Sequence, residues 1–467
     1  MKTQGRAPRG RMAAVMVVAW AAGAAAGPDI TVSSMANNIS KYNNQGPIAA
    51  YSFTTVSCNI GDADAIWIDC NSGNDCNQHP VIAQNIYRLK DGRFEQIGLG
   101  WLKHGFCALD EDSCPVGTIV PNPSCDWLGI YAADTYSAQL NGSQAGMGPR
   151  SEVNPWTGEY PYPFTLGWGQ TGNSIFKRCQ VHNDDVNPNL NAGALYFGEA
   201  QYVCTDELPA DRLNNVTWKQ FVVGSPSGGG WAFGSTGGPR WQQPAIQAWQ
   251  EHDAGVVLVN VDSLDALGNP VEGRFVLGCK VTDNLDGTWD YEYALYNQNN
   301  SRGARLFSVP ADDAAAVTNV GFHDVTYHSG EPFDGTDWAT ERAGGLHVWQ
   351  TQTFAENPNA NALRWGTLYN FRFTADRPPT TGEVTIGLFA PAEGAPDLLI
   401  ASIQVPAAPP VDCAGDLDGD SDTDSTDLNL LLSDFGCSGG SCTGDLDGDG
   451  DTDSTDLNLL LSDFGCG

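Results

Sequence analysis

The residues best suited to chemistry lie in two nearly identical runs of aspartate near the C-terminus. Residues 415–436 read GDLDGDSDTDSTDLNLLLSDFG and residues 444–465 read GDLDGDGDTDSTDLNLLLSDFG, so only Ser421 and Gly450 differ. Carboxylates recur at alternate positions within each run. A loop of about twelve residues with this spacing can wrap its oxygens around one Ca²⁺, which takes about six to eight oxygen ligands. The repeat therefore predicts two calcium ions, one in each copy.

The predicted ligands occupy loop positions 1, 3, 5, 7, 9 and 12. They are Asp416, Asp418, Asp420, Asp422, Asp424 and Asp427 in the first copy, and Asp445, Asp447, Asp449, Asp451, Asp453 and Asp456 in the second. Position 7 is expected to bind through its backbone carbonyl, so its side chain need not bind. Position 6 must turn sharply with positive φ, which glycine adopts without strain and serine does not. Without an ion, so many carboxylates would repel one another.

The segment after each aspartate run predicts a short helix that holds the loop. In the second copy, apolar residues recur at i, i+3, i+4 and i+7 and so share one helical face: Leu457, Leu460, Leu461 and Phe464. Gly465 is placed to end this helix. Cysteines bracket each copy, which favours the pairs Cys413–Cys437 and Cys442–Cys466. The expected tail is thus two closed loop–helix units.

This paired loop–helix repeat resembles a type I dockerin domain, in which two loops of pattern D-x-[DN]-x-D-G-x-x-[ND]-x-x-D each precede a short helix. The resemblance covers residues 413–467 and implies a calcium-dependent fold that binds a cohesin-like module or a surface scaffold. It also implies partner contacts at positions 10 and 11, here Ser425, Thr426, Ser454 and Thr455. Basic residues that usually follow the Leu pair are absent, and the bracketing cysteines are not needed by that family. A calcium-rigidified spacer, like thrombospondin type 3 repeats, and a surface-retention tag are the alternatives.

The first 26 residues predict export. Four basic residues precede an uncharged apolar run, and residues 24–26 supply the small side chains of a signal-peptidase site. The run of about fifteen residues is too short to span a bilayer, which takes about 20. No other stretch approaches membrane length. The sequence therefore predicts a signal peptide at residues 1–26 and a secreted or surface-held chain without a transmembrane anchor.

Thirteen cysteines agree with an oxidising compartment. Nine of them lie before the tail, and because nine is odd, at least one is free or pairs between chains. Polar loops rich in Gly, Pro and Asp favour the local disulfides Cys58–Cys76 and Cys107–Cys125 over metal sites.

The charge of the chain limits the classes of partner that it can bind. The formal net charge is −33, and the segment after Val411 holds fifteen Asp and no Lys or Arg. A negative field of this size repels phosphate backbones. The sequence therefore excludes a nucleic-acid partner and favours calcium and neutral polymers such as polysaccharides.

Strand patterns dominate the region before the tail. Residues 288–296 alternate aromatic with acidic residues and predict a strand with one solvated face. The predicted fold is mainly β, a disulfide-stapled β-sandwich of one or two domains, followed by a small helical calcium domain. The expected divisions are a loop-rich β domain at 27–255, a β-sandwich at 256–406, a Pro/Ala linker at 407–412 and the repeat at 413–467.

Weaker candidates for catalysis lie in the β region. His104 lies near aromatic residues, and Glu152 lies close in sequence to further aromatic residues at 156–164. A sugar-cleaving site combines acidic side chains with exposed aromatic rings in this way. A second cluster holds His323, Asp324 and His328, without a zinc motif. For Glu152 and its aromatic neighbours, the alternative is an ordinary loop that lays its aromatic residues over a sheet edge. For the cluster of His323, the alternative is a loop whose polar residues bond its own backbone.

Three functional classes follow from these patterns. The first is a non-catalytic protein that binds a glycan or a surface and is docked through its tail. The second is an extracellular polysaccharide-degrading hydrolase or lyase, and the third is a structural component of a cell surface. The stretch at residues 361–371, NALRWGTLYNF, resembles segments of secreted bacterial β proteins and carries no activity with it.

Overall fold

The predicted fold class, mainly β with a small C-terminal helical region, is confirmed. The computed structural model describes residues 27–68, 78–265, 267–326, 330–408 and 413–466. The predicted signal peptide, His328, Cys70, Cys76 and most of the predicted linker lie outside these residues. Among the described residues, no helix combines the length and apolar character needed to cross a membrane.

An antiparallel sheet of eleven strands forms the first part of the chain. Its central strands run in the order β1-β2-β10-β5-β4-β11-β12-β13, while β8 pairs with β2, β6 with β4 and β9 with β6; β3 and β7 pair separately. The strands are β1 Ile30–Gln45, β2 Ile48–Asn59, β3 Ala65–Ile66, β4 Val81–Lys90, β5 Arg93–Leu99, β6 Leu102–His104, β7 Trp127–Leu128, β8 Ala133–Tyr136, β9 Met147–Gly148, β10 Cys179–His182, β11 Leu195–Val203, β12 Val216–Ser227 and β13 Gly230–Ser235. The helices are α1 Ala138–Asn141, α2 Asn183–Val186 and α3 Gln247–His252, with 3₁₀ turns at Gln144–Gly146 and Arg150–Glu152.

Two five-stranded antiparallel sheets follow and pack as a sandwich. One has the order β14-β15-β16-β21-β18 and the other β19-β20-β17-β22-β23. The strands are β14 Val256–Leu264, β15 Pro270–Asp283, β16 Trp289–Asn297, β17 Ala304–Pro310, β18 Val317–His323, β19 Ala339–Ala343, β20 Leu346–Gln350, β21 Leu368–Ala375, β22 Pro379–Leu388 and β23 Leu398–Pro406. Phe275 and Tyr293 of one sheet share a buried cluster with Phe307 and Ile386 of the other.

The sheet of β14, β15, β16, β21 and β18 is covered on both faces. Tyr293 points into the sandwich, whereas Ala294 and Tyr296 pack in a second buried cluster with Tyr87 and Phe94 of the eleven-stranded sheet. The expectation of one solvated face on β16 is therefore wrong. A local pattern of acidic residues does not show that a distant sheet will cover them.

Polar side chains also join the two β regions. Glu199 on β11 accepts hydrogen bonds from the Tyr87 and Tyr296 hydroxyls at 2.8 and 2.9 Å, and from the Asn85 amide at 3.0 Å. The backbone N–H of Ala245 donates to its other oxygen at 2.6 Å. Burial raises the pKa of Glu199, and these donors oppose that rise. The boundary expected near residue 255 stays a prediction, but a common core spans it.

The expected disulfides of the β region are half right. Cys107 pairs with Cys125 as expected, but Cys58 pairs with Cys114. The reason lies in the sheet, because Ala133 on β8 is the register partner of Cys58 and also forms a β-bridge with Glu111. This bridge brings the loop that carries Cys114 onto β2. Three further thiols are free and buried in the described part of the chain: Cys179, Cys204 and Cys279.

The tail contains the two predicted helices, α4 Ser425–Asp434 and α5 Ser454–Asp463. Each begins at an aspartate N-cap in a capping box, in which the cap and the third helical residue bond each other's backbone N–H. Of the predicted apolar face, Leu460 is fully buried, while Leu461 and Phe464 are about half exposed. The helices pack through few side chains, so the loops must supply much of the order in this region.

Candidate functional site

Three of the predicted ligands of each tail loop, those at positions 1, 3 and 12, converge. Carboxylate oxygens of Asp416, Asp418 and Asp427 lie within 4.8 Å of one another, as do those of the equivalent residues in the second copy: Asp445, Asp447 and Asp456. The position-1 carboxylate of the first copy accepts the backbone N–H groups of Gly419 at 2.7 Å and Ser421 at 2.9 Å. These turns fold the loop back on itself. The arrangement could hold a metal ion in each copy.

The last ligand of each loop is buried and fixed by the backbone. Asp427 and Asp456 are at most 1% exposed. One oxygen of Asp456 accepts the N–H groups of Leu446 at 2.7 Å and Asp447 at 3.1 Å, and the other accepts that of Asp453 at 2.7 Å. These backbone hydrogen bonds, the one from Asp453 foremost, lower the pKa of Asp456. A buried carboxylate held ionised by its surroundings is suited to a cation.

The position-7 side chains lie among the other carboxylates of their loops. The Asp422 carboxylate lies in a cluster with those of Asp424 and Asp427, within 4.8 Å. Its Oδ1 and that of Asp451 are buried without a hydrogen-bond partner among the described residues. Repulsion from Asp449 is the main cause that raises the pKa of Asp451. Unpartnered acceptors facing like charges fit a site built for a cation.

Position 6 has the strained backbone that the loop register requires. Ser421 has φ of 75° and Gly450 has φ of 98°. Both donate their N–H to the position-1 carboxylate, at 2.9 and 3.0 Å. The two loops therefore share one geometry, and the first holds a serine in the left-handed region that favours glycine.

The helix of each copy contacts the loop of the other copy. Asp463 at the end of α5 accepts the N–H of Gly415 at 2.7 Å and the hydroxyl of Thr423 at 2.9 Å in the first loop. Asp434 at the end of α4 makes the same pair of contacts with the second loop. Each helix thus closes the loop of the other copy, and neither copy is a separate unit.

The expected pairing of the tail cysteines is wrong for the same reason. The structure joins Cys413 to Cys466 and Cys437 to Cys442. Thr423 donates its N–H to the carbonyl of Cys466 at 2.9 Å, so the end of the second copy lies against the first loop. The period of the repeat favoured pairing within a copy, but the exchanged contacts bring the bracketing cysteines of different copies together. As disulfides, these sulfurs do not serve as metal ligands.

The expected partner-binding residues lie in the first turn of each helix. Ser425, Thr426, Ser454 and Thr455 are all exposed. The same helices leave apolar side chains about half exposed at their far ends: Leu432, Phe435, Leu461 and Phe464. Each helix therefore presents hydroxyls at one end and apolar surface at the other.

His104 is buried in an aromatic cluster. Its Nδ1 lies 2.9 Å from Nε2 of His79, and its ring stacks on Phe164 with centroids 4.8 Å apart. Burial lowers the pKa of His104 well below its usual range and that of His79 to about 3. Both rings are neutral near pH 7, and Tyr160 is buried beside them instead of offering a surface to a sugar. The rings of this cluster pack against one another, and Nε2 of His104 has no hydrogen-bond partner among the described residues.

The Glu152 carboxylate accepts hydrogen bonds from its own loop. Its carboxylate accepts the N–H groups of Thr165 and Leu166, each at 2.8 Å, and the Thr165 hydroxyl. All these partners belong to Thr165 and Leu166, in the loop that follows Glu152.

His323 and Asp324 do share a cleft. They line a cavity of about 160 Å³ together with His182 and Asp185 from the first region. The Nδ1 atom of His323 is buried without a hydrogen-bond partner in the described residues, and Asp324 accepts the Asn361 amide at 2.5 Å. Burial raises the pKa of Asp324. An imidazole beside carboxylates in a cleft could transfer a proton.

A second cavity escaped the sequence patterns. A cavity between the first region and the sandwich is lined by Arg150, Glu331, Arg364 and Trp365. Two of these residues belong to the stretch NALRWGTLYNF at 361–371, where an arginine beside a tryptophan was the only signal. Arg150 lies more than 200 residues away in sequence, so no local pattern could join them.

Comparisons with known proteins add little to this geometry. No protein-family model and no curated protein matches the chain. Among similar solved structures, the N-terminal domain of the Streptococcus gordonii adhesin Sgo0707 shares 7% identity, covering 82% of this chain and 93% of that one, with a TM-score of 0.17. The B domain of a biofilm associated protein shares 7%, covering 80% and 86%, with a TM-score of 0.12. Scores this low do not establish a shared fold.

Proposed function

We propose that the chain is an exported protein whose tail folds around two Ca²⁺ ions and retains the β region on an extracellular or cell-surface assembly. The convergence of aspartate carboxylates within 4.8 Å in both loops carries this proposal. Like charges so close, with position 12 buried, call for a divalent cation to offset their repulsion. Only oxygen ligands line the loops, and a flexible set of about six suits Ca²⁺ better than Mg²⁺, which demands tight octahedral geometry.

Calcium titration of the full-length chain by calorimetry tests this first step. We expect two ions per chain and much weaker binding of Mg²⁺. Replacing the position-1 ligands, Asp416→Asn with Asp445→Asn, should abolish both sites because each removes a charged ligand and keeps the size of the side chain. The matched control is Asp91→Asn, an exposed carboxylate in the β4–β5 turn, which should leave both sites intact. Unchanged stoichiometry in the double variant would disprove the assignment.

The exposed helix faces are the proposed contact with a partner. A cohesin-like module would meet the hydroxyls of the first helical turns, and a scaffold with an apolar groove would meet the exposed Leu and Phe side chains. Binding of a purified cohesin module in calcium, with the Ser-Thr pairs changed to Ala-Ala, separates docking from the alternatives. Ser433→Ala, which removes a hydroxyl at the far end of α4, is the control. No binding by the unchanged chain would favour a rigid spacer or a retention tag.

The β region is proposed to bind a glycan or a surface. The cleft of His323, Asp324 and Asp185 favours a second candidate, polysaccharide cleavage, because an unpartnered imidazole nitrogen beside carboxylates can exchange a proton. Incubation with a panel of polysaccharides, scoring retention and release of new chain ends separately, distinguishes the two. Retention without release supports binding, and release that His323→Gln removes supports cleavage.

A further inference from the structure

A polar cavity of about 350 Å³ lies between the β4–β5 turn and the sandwich sheet that contains β16, and we name it the β4–β5 cavity. Its lining includes Arg93 from the turn and Lys280, Glu292 and Arg372 from the sheet. The volume is at the lower end of the roughly 300–1,000 Å³ that is usual for small-molecule pockets. The cavity can therefore hold a molecule of the size of a sugar unit.

Charges of opposite sign alternate across the sheet along this cavity. The strand register places Lys280 on β15 opposite Glu292 on β16, and Glu292 opposite Arg372 on β21. Residues in register on neighbouring strands lie on the same face of a sheet. Asp290 precedes Glu292 by two residues on β16 and therefore shares that face. The lining thus combines cations with carboxylates, and their direct contacts decide which charge stays free.

Two of the three cations are paired with carboxylates. Lys280 forms a salt bridge with Asp253. Arg93 donates its Nε to Glu292 at 3.1 Å, while the side chain of Arg93 remains 44% exposed. These contacts leave Arg372 as the cation to account for.

The guanidinium of Arg372 is unpaired. It takes part in no salt bridge within the described part of the chain, and it donates no hydrogen bond to any described residue. None of its nitrogen atoms is sealed from solvent, and the half-buried side chain belongs to the cavity lining. A ligand in the cavity can therefore reach this charged donor.

Gly321 on β18 makes room for the guanidinium. It is the register partner of Arg372, and a Cβ at this position would lie 2.5 Å from Nε and 2.6 Å from Cζ of that arginine. The register between β18 and β21 shifts between Thr318 and Gly321, and Asn319 in this bulge has φ of 52°. Asn319 also lines the cavity and donates to the Thr374 hydroxyl at 3.1 Å. Bulges and strained residues of this kind often re-aim side chains at binding sites.

The other charges limit the ligand to a single negative charge. Asp91, Asp290 and Glu292 line the same cavity and would repel a doubly charged group. Burial raises the pKa of Glu292 to about 7, and the charges of Arg93 and Arg372 oppose that rise, so this carboxyl is mostly neutral at pH 6. The formal net charge of −33 also repels a densely charged polymer. One acidic group on an otherwise neutral molecule meets both conditions.

We propose that the β4–β5 cavity binds one acidic substituent of an otherwise neutral glycan, a carboxylate or a sulfate ester, on the guanidinium of Arg372. A guanidinium binds either oxyanion through charge-assisted hydrogen bonds. Asp290 and Asn319 in the lining can bond the sugar hydroxyls. The proposal rests on the glycan-binding role proposed for the β region and names the substituent that this region recognises.

Calorimetric titration of the full-length chain with glucose, glucuronate and glucose 6-sulfate tests the proposal at pH 6 and low salt. The three sugars differ only in the group at carbon 6. We expect an acidic sugar to bind about five- to tenfold more tightly than glucose, which is the effect of a half-exposed charge-assisted hydrogen bond. The tighter of the two acidic sugars identifies the substituent. Equal binding of glucose, or equal binding of inorganic sulfate, would overturn the proposal, as would no binding of either acidic sugar.

Two variants locate the site on Arg372. Arg372→Gln should remove the preference for the acidic sugar and keep the fold, because the guanidinium has no bonding partner among the described residues. Gly321→Ala keeps the charge but displaces the guanidinium, whose flexible side chain can move aside, and should also reduce the preference. A preference that survives Arg372→Gln would overturn the proposal, and one that survives Gly321→Ala would contradict its geometry.

The matched control is Arg305→Gln. Arg305 on β17 is a half-buried arginine outside the lining of the β4–β5 cavity, and it too forms no salt bridge in the described part of the chain. This change removes the same charge from the chain and should leave the preference unchanged. Loss of the preference in the control would show that net charge alone causes it, and would overturn the proposal.

The outcome also separates this site from the wider function. Binding of an acidic sugar that Arg372→Gln removes, without retention of the chain on any glycan, would support the cavity and refute the glycan-binding role. Retention on a glycan that Arg372→Gln leaves unchanged would support that role and overturn the cavity as its site.

Discussion

The two aspartate loops, proposed to bind Ca²⁺, allow a comparison within one molecule, because they differ only at position 6. Ser421 holds φ of 75° where Gly450 holds 98°, and a non-glycine residue in this region costs on the order of 1 kcal/mol. That cost corresponds to about fivefold in affinity. Glycine loses more backbone entropy when the loop orders, which offsets part of the gain. We therefore expect Ser421→Gly to tighten the first site about two- to fivefold.

Gly450→Ser is the matched reverse change. No heavy atom lies within 4 Å of the position that a Cβ on Gly450 would take, so the serine there adds backbone strain without a steric clash. It should weaken the second site by the same factor that Ser421→Gly gains in the first. Competitive titration with a calcium-sensitive dye on the full-length chain resolves the two affinities. If Ser421→Gly leaves both unchanged, position 6 does not limit binding and the loop register is wrong.

Three further results are expected. Burial raises the pKa of Glu292 to about 7 from 4.5, so the folded chain holds a proton that the unfolded chain releases. The free energy of unfolding should therefore fall by about 3 kcal/mol as pH rises from 4.5 past 7, and Glu292→Gln should flatten this part of a urea-denaturation profile. Tyr296→Phe removes a hydrogen bond to the buried Glu199 and should lower the free energy of unfolding by about 1–3 kcal/mol in the same assay. Peptide mapping without reduction should recover Cys413 linked to Cys466, and recovery of pairs within each copy would contradict the exchanged arrangement.

The convergence of the aspartates and the two tail helices could be predicted because their information is local. Spacing within twelve residues placed the carboxylates together, and the i, i+3, i+4 pattern located both helices. The strand-like sequence patterns likewise predicted the mainly β fold class. Each of these features depends on residues adjacent in sequence.

The features that could not be predicted all depend on contacts between distant parts of the chain. The solvated face expected for Glu292 is covered by the eleven-stranded sheet, and Arg93 of that sheet bonds its carboxylate at 3.1 Å. Cys114 reaches Cys58 because Glu111 in its loop forms a β-bridge with Ala133 on β8. Arg150 meets Trp365 across more than 200 residues. Composition can show that such residues are suited to burial or binding, but only the packing of sheets decides which of them meet.

The Cys413–Cys466 disulfide changes how the tail would respond to mechanical force. Its two cysteines stand at the start and the end of the repeat, so tension arriving through the preceding segment enters at a covalent junction of both copies. The stretch between them cannot be drawn out from its ends. Cys437–Cys442 closes the turn between the copies in the same way. Tension applied to the chain at Cys413 is therefore shared between the two ends of the repeat and does not unravel the first loop from one side alone.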